Sequence, residues 1–139
     1  MRWVVLWALG LSLITGSFEA VAETRLALVV GQNDYRNLSK LNNPVPDATA
    51  IAGALRAHGF EVTELHDLPR AEFLDALEAF RVQSESASVA LVYYAGHGLE
   101  VLGKNVLAPV DMEIDCDKKV PRRAVDLEEL FNAVSGSPQ

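Results

Sequence analysis

The chain has 139 residues, with 12 Lys and Arg against 19 Asp and Glu, and a formal net charge of −7. That length holds one small domain, and an acidic chain without basic clusters argues against nucleic acid and anionic membrane surfaces as partners. Its single cysteine, Cys116, excludes an internal disulfide.

The opening MRWVVLWALGLSLITGSFEAVA carries Arg2, an apolar run from Trp3 to about Ile14, and Ala20-Val21-Ala22 as a small-x-small cleavage pattern. This is the layout of a secretory signal peptide, and the run is shorter than the roughly 20 residues that span a bilayer. The expectation is an exported chain, periplasmic or secreted, cut after Ala22 and free of the membrane thereafter. Residues 23–139 then form the domain. Arg2 and Glu19 leave together, so the charge stays at −7.

Arg25–Gly31 (RLALVVG) is a continuous apolar run stopped by glycine, the pattern of a strand buried on both faces. Asn33, Asp34, Asn37, Asn42, Asn43 and Pro44 make a long polar loop. From Asp47 the apolar positions Ala48, Ile51, Ala52 and Leu55 follow helical spacing, with His58 in the last turn and Gly59 as the stop. Phe60–Leu65 alternates as a second strand, with His66 in the turn that follows. Pro69–Ser84 is a second helix with Phe73, Leu74, Leu77 and Phe80 on one stripe.

Ser88–Ala95 is the third and most apolar strand. Leu99–Val101 and Asn105–Ala108 flank Leu102-Gly103-Lys104 as a small hairpin. Val110–Val125 reads as a charged loop, and Asp126–Val134 as a short amphipathic helix capped by Asp126. Alternating strands and helices imply an α/β fold, a mainly parallel sheet with helices on both faces. Sites in such sheets lie at the carboxyl ends of the strands.

Two loops meet that condition, the one after Gly31 and the one holding Gly96-His97-Gly98. His97 stands between glycines that leave its ring unshielded and allow close approach, which marks it as a candidate site residue. His58 and His66 lack that setting. The three histidines lie 8 and 31 residues apart with no ligand pairing, so a zinc site is not expected. Asp111, Glu113, Asp115 and Asp117 alternate along one loop and suggest calcium. Cys116 and Arg122, however, occupy the positions where an EF-hand needs glycine and glutamate. A solvated acidic loop is the simpler reading.

The segments RLALVVGQNDYRNLSKLNNPVPDA, LRAHGFEV and VALVYYAGHGLEVLGKNVLAPVD resemble the front half of the caspase-like cysteine peptidases, most closely the bacterial metacaspase or orthocaspase type. The resemblance implies a three-layer α/β sandwich. It assigns His97 as base and acid of a Cys-His dyad, and Gly98 as a backbone donor to the oxyanion. Its Asn-Pro-x-Asn-Asp-Ala segment appears here as Asn43-Pro44-Val45-Pro46-Asp47-Ala48. Asp47 thereby inherits a pocket role for a basic side chain beside the cleaved bond, although it also suits a helix N-terminus.

The family's cysteine follows the helix at Asp126–Val134, on the next strand, so the resemblance covers a domain truncated before its nucleophile. Cys116, flanked by Asp115 and Asp117, has neighbours that raise a thiol pKa rather than lower it. Two readings follow. One is an exported cysteine endopeptidase acting on peptide or protein substrates. The other is a catalytically inactive caspase-like module that pairs the open edge of its sheet with another chain.

Overall fold

A computed structural model describes residues 23–115 and 120–135 of the chain. The expected signal peptide, Cys116 and Asp117 lie outside the described residues. Among those described, no helix is long and apolar enough to cross a membrane.

The elements are β1 (Arg25–Gly31), α1 (Pro44–Ala57), β2 (Glu61–His66), α2 (Arg70–Ser84), β3 (Val89–Ala95), β4 (Gly98–Val101), β5 (Lys104–Leu107), β6 (Glu113–Asp115), β7 (Val120–Arg122), β8 (Val125–Asp126) and α3 (Leu127–Val134). The first three strands form a parallel sheet in the order β2-β1-β3. Because the chain moves from β1 to one side and then back past it to the other, two right-handed crossovers must place α1 and α2 on opposite faces.

The strand alternation of β1 supplies both layers. Val29 packs with Ala48 and Ala52 of α1, and with Val62 and Tyr93 on the neighbouring strands. Leu26, Leu28 and Val30 face the larger core of Phe73, Leu77 and Phe80 from α2 and Ala133 from α3. The Ser84 hydroxyl lies within hydrogen-bond distance of the carbonyls of Arg81 and Ala133, joining the end of α2 to α3. The result is the three-layer α/β arrangement that the alternating pattern implies.

The structure differs from the sequence reading in four places. Helix α1 begins at Pro44 rather than near Asp47, because proline is pre-set for a first turn. His66 is the last residue of β2, its Nε2 3.1 Å from Glu64 Oε1, not part of the turn. The Val110–Val125 segment is not a plain loop: β6 and β7 pair antiparallel, and β8 pairs with β5. Asp126 does stand at the cap position of α3, but its side chain makes no capping hydrogen bond. It faces Lys104 instead, at 3.8 Å.

Gly31, at the carboxyl end of β1, is set by crowding. A Cβ there would lie 2.9 Å from both the Ala48 side chain and the Pro44 carbonyl. Glycine therefore lets the first turn of α1 sit directly on the strand. Gly31→Ala is expected to push α1 off the sheet and to cost about 1–3 kcal/mol. Urea unfolding checks this, and a wild-type midpoint would contradict it.

Candidate active site

The site grows from the carboxyl ends of β1, β2 and β3. Gln32 follows β1 and is fully buried. Its side-chain amide accepts from Leu68 N–H at 2.7 Å and donates to Leu68 C=O at 3.0 Å, which satisfies both polar atoms. Asp67 takes a positive φ of 52°, and its Oδ1 accepts the backbone N–H groups of Asn33 and Asp34 at 2.7 and 2.9 Å. Asn33 Oδ1 accepts Val45 N–H at 3.0 Å, filling one of the donors left open at the start of α1. Arg36 N–H and the Asn37 amide donate to the carbonyls of Val110 and Met112. The polar stretch after β1 is thus a fixed loop.

That loop receives His97. The imidazole Nε2 lies 2.8 Å from the Ser39 carbonyl oxygen. A carbonyl only accepts, so Nε2 carries a proton, and in the neutral imidazole Nδ1 holds the lone pair. The Tyr35 and His97 rings are 4.6 Å apart at 53°. His97 N–H donates to the Tyr35 hydroxyl at 2.8 Å. The Tyr94 hydroxyl lies 3.0 Å from the carbonyls of both His97 and Ala108, and 3.4 Å from the Tyr35 hydroxyl. His97 is therefore half-buried and braced. The expectation of an unshielded ring between two glycines is corrected: Tyr35 covers it, since the loop after β1 folds over the end of β3.

The two glycines also differ. A Cβ on Gly96 would lie 2.5 Å from each of the two tyrosine hydroxyls, so the tyrosine pair demands glycine there. A Cβ on Gly98 would meet nothing nearer than the Val106 carbonyl at 3.7 Å. Ala108 N–H bonds the His97 carbonyl, which makes Gly98 and Leu107 a non-hydrogen-bonded pair of the β4–β5 ladder. Gly98 N–H accordingly points away from β5.

His97 and Gly98 line one cleft of about 210 Å³ together with Leu38, Ser39 and Leu99. A larger cleft of about 630 Å³ lies between the β4–β5 hairpin, α2 and α3, and none of the three candidate residues lines it. The smaller cleft is the one that takes His97 and Gly98, and among the described residues neither the imidazole Nδ1 nor the Gly98 N–H has a hydrogen-bond partner.

Asp47 does not line that cleft. It is exposed on the first turn of α1, and among the described residues its carboxylate makes no hydrogen bond or ion pair. It does not cap the helix, because α1 starts three residues before it; the Val45 N–H of the first turn is met instead by Asn33, just beyond β1. Asp111 accepts from Arg70 N–H at 2.7 Å and from the Arg123 guanidinium at 3.2 Å, so its carboxylate ties the start of α2 to the segment after β7. Among the described residues there is no group of three or more His, Cys, Asp or Glu side chains that could hold a metal ion.

Tyr35, Tyr94, Ser39 and Asp67 did not stand out in the sequence. The only signal was a tyrosine inside the polar loop and one at the end of an apolar strand. Burial raises the Tyr35 phenol above its ordinary value, against the hydrogen bonds with Tyr94 and His97 that lower it. Tyr94 is pushed further, first by burial and then by Tyr35.

A family model described as Caspase domain, peptidase C14, matches residues 24–139. The human mucosa-associated lymphoid tissue lymphoma translocation protein 1 is 34% identical over 93 residues, which is 67% of this chain and 11% of that protein. Its mouse homolog is 33% identical over 93 residues, with the same coverage. The chain spans about one ninth of the length of these curated relatives.

The tyrosine pair makes a pH prediction. Both phenols stay protonated in the fold at pH values where unfolded tyrosines, at an ordinary value of 10.0, ionise. Their contribution to stability is complete below about pH 10 and is lost as the pH rises beyond it. Urea midpoints should fall across the alkaline range, and Tyr94→Phe should flatten that fall. Equal alkaline slopes in the two proteins would refute the assignment.

Proposed function

The chain belongs to the caspase-domain family, and from that premise we propose that it carries the histidine half of a Cys-His peptidase site, with His97 as general base and acid. The observation that carries this reading is the Nε2–Ser39 carbonyl hydrogen bond at 2.8 Å. It commits one ring nitrogen to the protein and leaves Nδ1 basic, at the carboxyl end of a parallel strand.

The chemistry follows from that nitrogen. A thiol near its ordinary pKa is a weak nucleophile at neutral pH, and an adjacent imidazole activates it by taking its proton. Attack on the peptide carbonyl then builds negative charge on the oxygen. Gly98 N–H, directed away from β5, is a donor for that charge. The imidazolium returns its proton to the leaving amine, and water releases the acyl group by the same base.

Asp47, exposed and unpaired at the start of α1, is the group in this reading that receives a basic side chain on the acyl side of the bond, the preference of the metacaspase type. The nucleophile is a cysteine other than Cys116, carried on a strand along the outer edge of β3, which pairs with β1 on one side and with none of the described strands on the other. A parallel strand there would end beside His97. In this reading residues 1–22 are a cleaved leader and the protein works outside the cytoplasm, an expectation that rests on the charge, apolar run and small-x-small pattern of that segment.

The same free edge favours a second reading, a caspase-like module that does not cut and uses β3 to pair with another chain. Fluorogenic peptides with Arg or Lys at the cleaved bond, tested on the protein isolated from its native source, separate the two. Under the first reading His97→Ala lowers kcat/KM by about 10³-fold. Asp47→Ala raises KM for basic substrates, and Cys116→Ala has no effect. Cleavage that survives His97→Ala overturns the reading. A folded wild-type protein without turnover supports the second.

A further inference from the structure

We propose that Tyr35 is a positioning residue for His97, fixing the peptide unit and the ring plane of the histidine so that Nδ1 faces the cleft. The proposal deepens the reading of His97 as the base and rests on it. Tyr35 reaches His97 in two ways. Its hydroxyl accepts the His97 amide at 2.8 Å, and its ring lies against the imidazole at 4.6 Å. Turning the imidazole would carry it off the Tyr35 ring and break the Nε2–Ser39 bond together.

Ser39 belongs to the same loop, four residues further on, so one backbone segment presents both restraints. That segment is itself held: Asp67 accepts the amides of Asn33 and Asp34, and Arg36 N–H reaches the Val110 carbonyl. Tyr94 serves the other end of the residue, through the His97 and Ala108 carbonyls. The two hydroxyls thus divide the work, Tyr35 on the amide and Tyr94 on the carbonyl, while the Tyr35 ring takes the imidazole.

Tyr35 is 2% exposed and does not line the His97 cleft. It has no path to a substrate and acts only through the histidine. The glycine at position 96 belongs to the same device. With the two hydroxyls each 2.5 Å from where its Cβ would stand, a side chain at 96 and the tyrosine pair cannot coexist.

Nitrogen-15 NMR of the imidazole, with amide hydrogen exchange on the full chain, tests the proposal without needing turnover. A failed peptidase reading and a failed positioning role are therefore distinguishable. Wild type should show the Nε2–H tautomer, and a His97 amide protected roughly tenfold over that of Gly98. Tyr35→Phe keeps the ring and removes the acceptor. It should raise the His97 amide exchange rate roughly fivefold, the effect of one net hydrogen bond, and Tyr35→Leu, which removes the ring as well, should also raise the Nδ1–H population. Tyr94→Phe should leave the tautomer ratio at the wild-type value.

Unchanged amide exchange in Tyr35→Phe, or an unchanged tautomer in Tyr35→Leu, overturns the proposal. So does an equal tautomer shift in Tyr94→Phe, which would mean general loosening. If Tyr35→Phe does not fold, the wild-type comparison decides, and a His97 amide exchanging as fast as that of Gly98 overturns it.

Discussion

Where the chain leaves β1, its residues are buried on every side, and each polar group carried there needs a partner. Val30 and Gln32 have no exposed surface. The solution is a set of side chains acting as backbone. The Gln32 amide pairs with both polar atoms of Leu68, as a neighbouring strand would, and the Asp67 carboxylate takes two consecutive amides. Among the described residues no buried side-chain nitrogen or oxygen is left without a partner. One such bond contributes about 1 kcal/mol net, whereas an unmade one costs about 1–3 kcal/mol. The network therefore matters chiefly through what any gap in it would cost, and this forces the loop after β1 into a single arrangement.

The orientation of His97 follows from that arrangement. Its amide, its carbonyl and one ring nitrogen are all occupied by the protein, and Nδ1 remains. A histidine with both ring nitrogens bonded internally would be a structural residue, and one with neither would sample several rotamers. Three restraints of about 1 kcal/mol each, two hydrogen bonds and an aromatic contact, are together enough to hold one orientation.

The two edges of the parallel sheet differ in chemistry. β2 alternates, and its Glu64 is engaged by Thr49, Arg56 and His66. The Thr49 hydrogen bond, with the Arg56 guanidinium behind it, holds the Glu64 carboxyl below its ordinary value and keeps that edge charged. β3, VALVYYA, carries no charge at all, and every residue in it is half-buried. Charged groups discourage strand addition, and their absence permits it. Of the two edges, β3 is the uncharged one, and His97 stands just beyond its carboxyl end.

The layers and the position of His97 were legible in the sequence because they rest on local patterns. The apolar runs of β1 and β3, the stripe of α2 and the Gly-His-Gly end of a strand each lie within a dozen residues. The hairpin at β6–β7 was hidden because charged residues masked its alternation. The bracing of the site was hidden for a different reason. Asn33 meets Asp67 across 34 positions, Ser39 meets His97 across 58, and Tyr35 meets His97 across 62. A polar side chain shows no periodicity that betrays its partner, since one hydrogen bond depends on where two atoms are brought by the whole fold. The sequence by itself determined the apolar stripes that face the two layers and the place of His97 between two glycines just after β3. Only the tertiary structure decided which nitrogen of that histidine is free.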